Sequence, residues 1–194
     1  MNIVHYHDHL CPELAVGYRV GLIARNELGL TRDNDRSFFI LVENMSSAID
    51  ALQCMTGCTV GNQSFYAYDL GKHVYYFEQF SSGPEPWEAL RVALINPVID
   101  ISRAHDIEKR IMAGQATFAE ADEYHRAIDK AVSEILDIPE ESLFTKSKVS
   151  LRPPRLNESL EYKKCSSCGE VVAVRNAVPE GNGLLCRVCV AKML

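Results

Sequence analysis

Long apolar runs are missing from this sequence. No segment of the 194 residues approaches the roughly 18 consecutive apolar residues of a membrane helix, and the polar start MNIVHYHDH lacks the apolar stretch of a secretory signal. No internal repeat is visible either. We therefore expect a cytoplasmic protein that does not contact a membrane. Its hydrophobic content of 47% suits one full core with a small appendage.

An even set of cysteines, which a disulfide framework would need, is also missing. The chain has seven cysteines, and in a reducing compartment this odd number indicates metal or thiol chemistry rather than disulfides. Three of them lie within the first 58 residues and four within the last 30. Each group is therefore considered as a separate candidate site.

The charge is distributed unevenly along the chain. Residues 145–194 carry nine Lys or Arg against four Glu, whereas residues 1–144 carry 11 basic against 22 acidic side chains. A basic tail can bind nucleic acid, but it can equally dock on an acidic body of its own chain or of a partner chain. We favour docking, because the linker lacks interleaved aromatics and no helix shows a base-reading stripe.

Hydrophobic periodicity and capping residues predict the elements of the first 149 residues. Apolar residues at helical spacing, followed by Gly29, indicate a helix over Pro12–Leu28 with Cys11 as its N-cap. The other predictions are a strand over 37–43, a helix over 46–55 with Ser47 and Asp50 as a capping box, a hairpin of 65–69 with 73–80, helices over 86–114 (interrupted near 96–97) and over 117–136 (with Thr117 and Glu120 as a capping box), and a strand over 143–149. Because strands and helices do not alternate strictly, this order predicts an α+β fold in which a mixed or antiparallel sheet packs with helices.

Segment 150–164 is polar, contains Pro153 and Pro154, and breaks the periodicity. We interpret it as a linker that separates a core domain of residues 1–149 from a small module of residues 165–194.

The small module contains the cysteine pattern C-x2-C-x17-C-x2-C, formed by Cys165, Cys168, Cys186 and Cys189. This spacing is typical of a zinc ribbon or treble clef, in which four thiolates close a tetrahedron around one structural zinc ion. Gly169 suits the tight knuckle after the first pair. A hairpin that turns at 181–183 would bring 171–174 beside 184–185, and a helix over 187–193 would follow. An iron–sulfur or rubredoxin-like iron site is the alternative.

The N-terminus places His5, His7, His9 and Cys11 at alternate positions, directly before Pro12. A proline at the first helical position makes Cys11 an N-cap, where the positive end of the helix dipole favours a metal-binding or nucleophilic thiolate. A mobile His-rich terminus is the alternative.

Two further cysteines follow this motif. Cys58 lies in the glycine-flanked loop T-G-C-T-V-G, which can present a side chain or form an anion-binding nest. Cys54 lies among apolar neighbours and is interpreted as a small buried hydrophobe.

Three stretches resemble the FmdE family of formylmethanofuran dehydrogenase proteins: H-Y-H-D-H-L-C-P-E-L-A-V-G-Y-R, E-N-M-S-S-A-I-D-A-L-Q-C-M-T-G-C-T-V-G-N and G-K-H-V-Y-Y-F. The family pattern is close to H-G-H-x-C-P-G-L-A-x-G followed by C-x-x-D-A-I-Q-x-x-T-G-C-T-x-G. His7, His9 and Cys11 fall on the first motif, and Asp50, Gln53, Thr56, Gly57, Cys58 and Gly61 fall on the second. Glu13 replaces a family glycine and Ser47 replaces a family cysteine. The loss of that thiol excludes a disulfide cycle through position 47.

The resemblance implies an α+β body, a homodimer, and a groove in which the first motif meets Cys58. We expect His9, Cys11 and Cys58 to hold zinc or another transition metal there with one open position, with His7 as a weaker candidate and His5 excluded. Asp50 or Glu43 would accept a hydrogen bond from the ligating imidazole, and Asp50 is included in the candidate catalytic set with His9, Cys11 and Cys58. The other histidines, His73, His105 and His125, are interpreted as surface or satisfied groups.

Three functions follow from these sites. The first is a metal-dependent enzyme or accessory protein of anaerobic one-carbon metabolism of the formylmethanofuran type, acting on a small molecule. The second is a metal-handling or assembly factor for a molybdenum or tungsten oxidoreductase, which would be its protein partner. The third, a zinc-finger regulator that binds nucleic acid, is the least favoured because of the features of the tail described above.

Overall fold

A computed structural model describes residues 2–80, 87–96, 102–151 and 161–192. The chain divides into two units, Met1–Pro153 and Pro154–Leu194. We call the first the body and the second the C-terminal unit. Within the described residues, no helix is both long and apolar enough to span a membrane.

A five-stranded mixed sheet forms the centre of the body. Its strands are β1 (Phe38–Val42), β2 (Phe65–Ala67), β3 (Val74–Gln79), β4 (Trp87–Leu94) and β5 (Phe144–Leu151). Their order is β2-β1-β3-β4-β5, with β1 and β2 parallel and every other pair antiparallel. The predicted α+β class with a mixed sheet is confirmed.

Six helices accompany the sheet in the described part of the body: α1 (Ile3–His7), α2 (Pro12–Leu28), α3 (Ala48–Thr56), α4 (Ser102–Met112), α5 (Phe118–Asp137) and α6 (Glu140–Leu143). Apolar side chains of α2, α3 and α5 pack with those of β1 and β3 into one core. The predicted start of α2 after Cys11, its end at Gly29, and the Thr117/Glu120 capping box of α5 are confirmed.

Two predictions about the sheet are wrong. The segments predicted as a hairpin do not pair with each other. Instead, β2 and β3 form hydrogen bonds with opposite edges of β1. Residues 87–94, predicted as helix, form β4, which pairs over its full length with β5 and over Ala89–Ala93 with β3. Good helix formers are overridden there by two hydrogen-bonded ladders. Residues 86 and 97–101 of that predicted helix lie outside the described residues.

The C-terminal unit contains β6 (Tyr162–Lys164), β7 (Val171–Ala173), β8 (Ala177–Glu180), β9 (Gly183–Cys186) and α7 (Arg187–Ala191). The predicted turn before residue 183 and the predicted short helix are present, but the predicted strand partners are wrong. Strand β7 pairs with β6, from the end of the predicted linker, and β9 pairs with β8. Residues 152–160 of the linker lie outside the described residues.

Candidate functional site

The turn between α1 and α2 carries the first group of candidate ligands. Asp8 has φ +84°, ψ −33°, and its N–H donates to the Val4 carbonyl at 2.8 Å. A positive φ is costly for a residue with a Cβ atom and is ordinary for glycine. Asp8 occupies the position of the glycine in the family pattern H-G-H, so this reversal of the chain explains why the pattern has glycine between its two histidines.

Ligand atoms of His7, His9 and Cys11 all lie within 4.8 Å of one another. The Nε2 atom of His7 is 3.8 Å from Cys11 Sγ, and the rings of His7 and His9 are 4.7 Å apart between centroids. Metal–ligand bonds of about 2.0 Å to nitrogen and 2.3 Å to sulfur at a tetrahedral angle would separate N and S by about 3.5 Å. The donor set therefore fits a transition metal, and the His7–Cys11 pair needs a movement of only a few tenths of an ångström to reach this spacing.

Asp50 of α3 fixes the orientation of the His7 ring. Its Oδ2 lies 2.7 Å from His7 Nδ1, so Nε2 is the atom that faces Cys11. The His7 side chain is 14% exposed and that of Asp50 is 38% exposed, so the ring is largely buried while the carboxylate is partly open to solvent. A carboxylate on the distal nitrogen sets the tautomer and raises the basicity of the ligating nitrogen.

The predicted capping box of α3 is wrong, and the reason bears on the site. The Ser47 side chain makes no capping hydrogen bond, and the Ala48 N–H donates to Ser46 Oγ at 3.3 Å. Glu13 of α2 accepts from the Ser47 N–H at 3.1 Å. Because these groups satisfy the start of α3, the Asp50 carboxylate is left for His7.

The structure brings His7, His9 and Cys11 together and places Asp50 on the far ring nitrogen of His7, so His7 rather than His9 takes the central place. Cys58 lies elsewhere: its side chain is fully buried in the hydrophobic core, with Sγ 3.9 Å from the Phe38 carbonyl oxygen, and it does not belong to the ligand group. Glu43, the other predicted acceptor, instead receives the Tyr76 hydroxyl at 2.9 Å. The glycine between two histidines in the family pattern was the signal for His7, because a reversal at that position turns both rings to one side.

His73, which lies outside the motif, is partly buried and contacts a tyrosine. Its Nδ1 lies 2.7 Å from the hydroxyl of Tyr75. Burial lowers the pKa of His73, and the negative charge of Glu13 opposes this in part. Burial also raises the pKa of Tyr75 far above its usual range, while hydrogen bonds with Asn44 and Ser46 act in the opposite direction. The two side chains are therefore a neutral imidazole and a neutral phenol near pH 7.

Four cysteines form the second ligand group, in the C-terminal unit. The Sγ atoms of Cys165, Cys168, Cys186 and Cys189 all lie within 4.8 Å of one another, and those of Cys168 and Cys186 are 3.9 Å apart. The edge of a Zn–S tetrahedron with 2.3 Å bonds is about 3.8 Å. Backbone hydrogen bonds, first from Cys168 and then from Cys186, lower the pKa of the Cys165 thiol to about 6. This group fits a structural metal such as zinc.

These observations define the class: an α+β protein with one Cys/His group and one four-cysteine group, each able to hold a metal. A family model described as "FmdE, Molybdenum formylmethanofuran dehydrogenase operon" matches residues 6–145. The chain belongs to the FmdE family.

Two similar proteins, one curated and one of known structure, add to this comparison. A curated protein of Archaeoglobus fulgidus, named "Probable S-adenosyl-L-methionine-binding protein", is 28% identical over 189 residues, which cover 93% of this chain and 50% of that protein. The chain therefore spans about half the length of that curated relative. The crystal structure of a tungsten formylmethanofuran dehydrogenase FmdE-like protein from Syntrophus aciditrophicus has a similar fold, with a TM-score of 0.59, 18% identity, and coverage of 98% of this chain and 89% of that chain.

Proposed function

We propose that His7, His9 and Cys11 hold a transition metal with an open position, and that this metal centre acts on a small molecule of one-carbon metabolism. The observation that carries the proposal is the line of contacts from Asp50 through His7 to Cys11, at 2.7 Å and 3.8 Å. A ligating histidine backed by a carboxylate is the usual arrangement in protein metal sites. The operon name in the family description supports a formylmethanofuran-type context.

Each side chain has a distinct role in this proposal. Cys11 binds as a thiolate at the start of α2, His7 and His9 bind through ring nitrogens, and Asp50 keeps the His7 ring in place. A metal with three protein ligands and an open position can polarise a carbonyl group or activate water. The low exposure of His7 strengthens the electrostatic effect of these groups on a bound substrate.

A thiol nucleophile is the second candidate for the same residues. Cys11, His7 and Asp50 stand in the order nucleophile, base and orienting carboxylate. The metal proposal is favoured because His9 converges on the same point, and a nucleophilic triad has no use for a second imidazole.

Metal stoichiometry tests the proposal. The full chain, saturated with zinc and passed over a desalting column, is expected to hold two metal ions, and a variant with both His7→Ala and Cys11→Ala is expected to hold one. Cys54→Ala is the matched control, because it removes a buried thiol outside both ligand groups. One metal ion in wild type and in every variant would contradict the metal centre.

Thiol reactivity then separates the two candidates. If Cys11 is a metal ligand, iodoacetamide modifies it slowly in the metal-loaded protein and faster after chelation. Fast modification that zinc does not slow, and that Asp50→Asn reduces, would favour the nucleophile.

Exchange kinetics separate a catalytic metal from a delivered one. A metal-handling role for a molybdenum or tungsten enzyme, which the operon name also supports, requires that the ion leave the body readily. If a competing chelator rapidly removes the metal bound by His7, His9 and Cys11 while the four-cysteine site keeps its metal, a metal-handling role is supported. Slow loss of metal from both sites supports catalysis.

The name of the curated relative makes S-adenosyl-L-methionine a ligand to test. Because this chain spans half of that protein, binding of the compound to this chain in equilibrium dialysis would assign the ligand to the shared half. A lack of binding would assign it to the other half.

A further inference from the structure

The body contains an open cavity of about 500 Å³ at the end of the sheet where β3 begins and β4 ends. Lys72, His73 and Arg91 line it together with Asn96 and Thr145. Its volume lies in the range of small-molecule sites. It shares no residue with the group of His7, His9 and Cys11.

The cavity stands out by its charge. Residues 1–144 carry twice as many acidic as basic side chains, yet within the described part of the chain the lining includes two permanent cations and no carboxylate. The overall composition of the acidic body therefore does not account for a cavity lined by a cluster of cationic side chains. Low-dielectric walls concentrate the field of such a cluster on a bound anion.

Side chains of the neighbouring segments lie close to both cationic groups. The guanidinium carbon of Arg91 lies 5.9 Å from the ring centroid of Tyr76, which is the residue opposite it on β3. The Tyr76 hydroxyl donates to Glu43, whose other carboxylate oxygen is 4.0 Å from Lys72 Nζ. Glu43 is therefore satisfied by the tyrosine, and its ion pair with Lys72 is at the limit of contact, so both cations retain donors for a ligand.

His73 adds a neutral imidazole. Its Nδ1 lies 2.7 Å from the hydroxyl of the buried Tyr75, and burial keeps both groups uncharged near neutral pH. When the Tyr75 hydroxyl donates to Nδ1, Nε2 carries the ring hydrogen and can donate to a ligand. Near neutral pH the cavity thus offers an ammonium, a guanidinium and an imidazole. This combination suits an oxyanion, since a guanidinium binds two oxygens of one group at once.

We propose that this cavity binds the carboxylate or phosphate group of an acidic small molecule through Lys72, His73 and Arg91. Such a ligand would be held in the same unit of the protein as the proposed metal centre, but the site stands independently of it.

The test is a titration of the full, zinc-loaded chain followed by ¹H–¹⁵N NMR, with inorganic phosphate in one arm and succinate in the other, at constant ionic strength. We expect saturable shifts of the backbone amides of residues 72–74 and 91–96 with a dissociation constant of about 1 mM. Shifts in the phosphate arm alone indicate a phosphorylated ligand, and shifts in the succinate arm alone indicate a carboxylic acid. The absence of saturable shifts in both arms overturns the proposal.

Variants locate the binding site. Lys72→Gln combined with Arg91→Gln is expected to weaken binding at least about tenfold, because two charge-assisted contacts are lost, whereas Arg91→Lys keeps the charge and should retain phosphate binding. Lys109→Gln is the matched control, since Lys109 is 64% and Lys72 is 65% exposed, and each has one long ion pair. Equal binding by the double variant and wild type overturns the proposal. Loss of binding in Cys11→Ala also overturns it, because the anion would then be bound at the metal.

Discussion

Helix α2 contacts the backbone of α3 closely at Gly17, and an alanine there should separate the two helices. An ideal Cβ at Gly17 would lie 2.6 Å from Cα and 2.9 Å from the carbonyl carbon of Ala48. Ordinary carbon–carbon contacts begin near about 3.5 Å, and backbone atoms inside a core cannot turn aside. The helices must therefore move apart by several tenths of an ångström to about 1 Å.

The energy can be worked out from this clash. Overpacking a core costs about 1–3 kcal/mol, and the upper end applies because the obstacle is backbone. Alanine returns about 1 kcal/mol of helix propensity, so Gly17→Ala should lower the free energy of unfolding by about 2 kcal/mol. Gly21→Ala, one turn later, gains the same propensity but meets the Met55 side chain at 2.5 Å. That flexible side chain can move, so we expect a change within about 1 kcal/mol of zero.

Urea unfolding followed by tryptophan fluorescence measures the difference. The chain has one tryptophan, Trp87 on β4, so the signal reports the body alone. Since α3 carries Asp50, Gly17→Ala should also weaken metal binding at His7 and Cys11, whereas Gly21→Ala should not. Equal stability of the two variants would refute the idea that a backbone contact at Gly17 sets the position of α3.

Three other predictions concern the turn at Asp8, the contact between His73 and Tyr75, and the C-terminal unit. Asp8→Gly should stabilise the body by about 0.5–1 kcal/mol in the same assay, because relief of the positive φ exceeds the added chain entropy; a loss of stability would contradict the strained turn. The pKa of His73 is lowered in the folded protein. The neutral His73 therefore contributes its full stability above about pH 6.5, the pKa of an unfolded histidine. This stability is lost as the pH falls toward the pKa of His73 in the folded state, because the unfolded chain binds more protons there. His73→Gln should flatten this dependence between about pH 7 and pH 5; an unchanged slope would contradict a lowered pKa at His73. Chelation of zinc should raise amide hydrogen exchange throughout 161–192 and leave the strands of the body protected, since a small metal-bound unit loses its fold with its metal; unchanged exchange in 161–192 would contradict a structural metal.

Local signals in the sequence predict those parts of the fold that depend on local contacts. Helix α2 begins after Cys11 and ends at Gly29, and α5 starts with the Thr117 capping box, because these signals lie within one turn of the boundary. Strand β4 has no such signal. Its residues favour a helix. It forms a strand through pairing with β5, whose residues lie fifty or more positions further along the chain.

In the candidate site, too, local features can be predicted from the sequence and long-range contacts cannot. The alternation of His7, His9 and Cys11 indicates convergent ligands within a short segment. The contact of His7 with Asp50 spans 43 residues and depends on the approach of α3 to α2. Cys58 follows a helix end in a glycine-flanked loop, which favours exposure, but that loop is adjacent to β1 and its thiol fills the core. Burial of this kind is a property of the assembled core and has no local pattern.

Anomalous diffraction from crystals grown with zinc tests the proposed metal centre most directly. We expect two peaks at the zinc edge, one between the four cysteine sulfurs and one bounded by His7 Nε2, His9 and Cys11 Sγ, with Asp50 still on His7 Nδ1. The second peak should disappear in Cys11→Ala while the first remains. A single peak at the four cysteines, in crystals where His7 and Cys11 are ordered, would contradict a metal centre in the body.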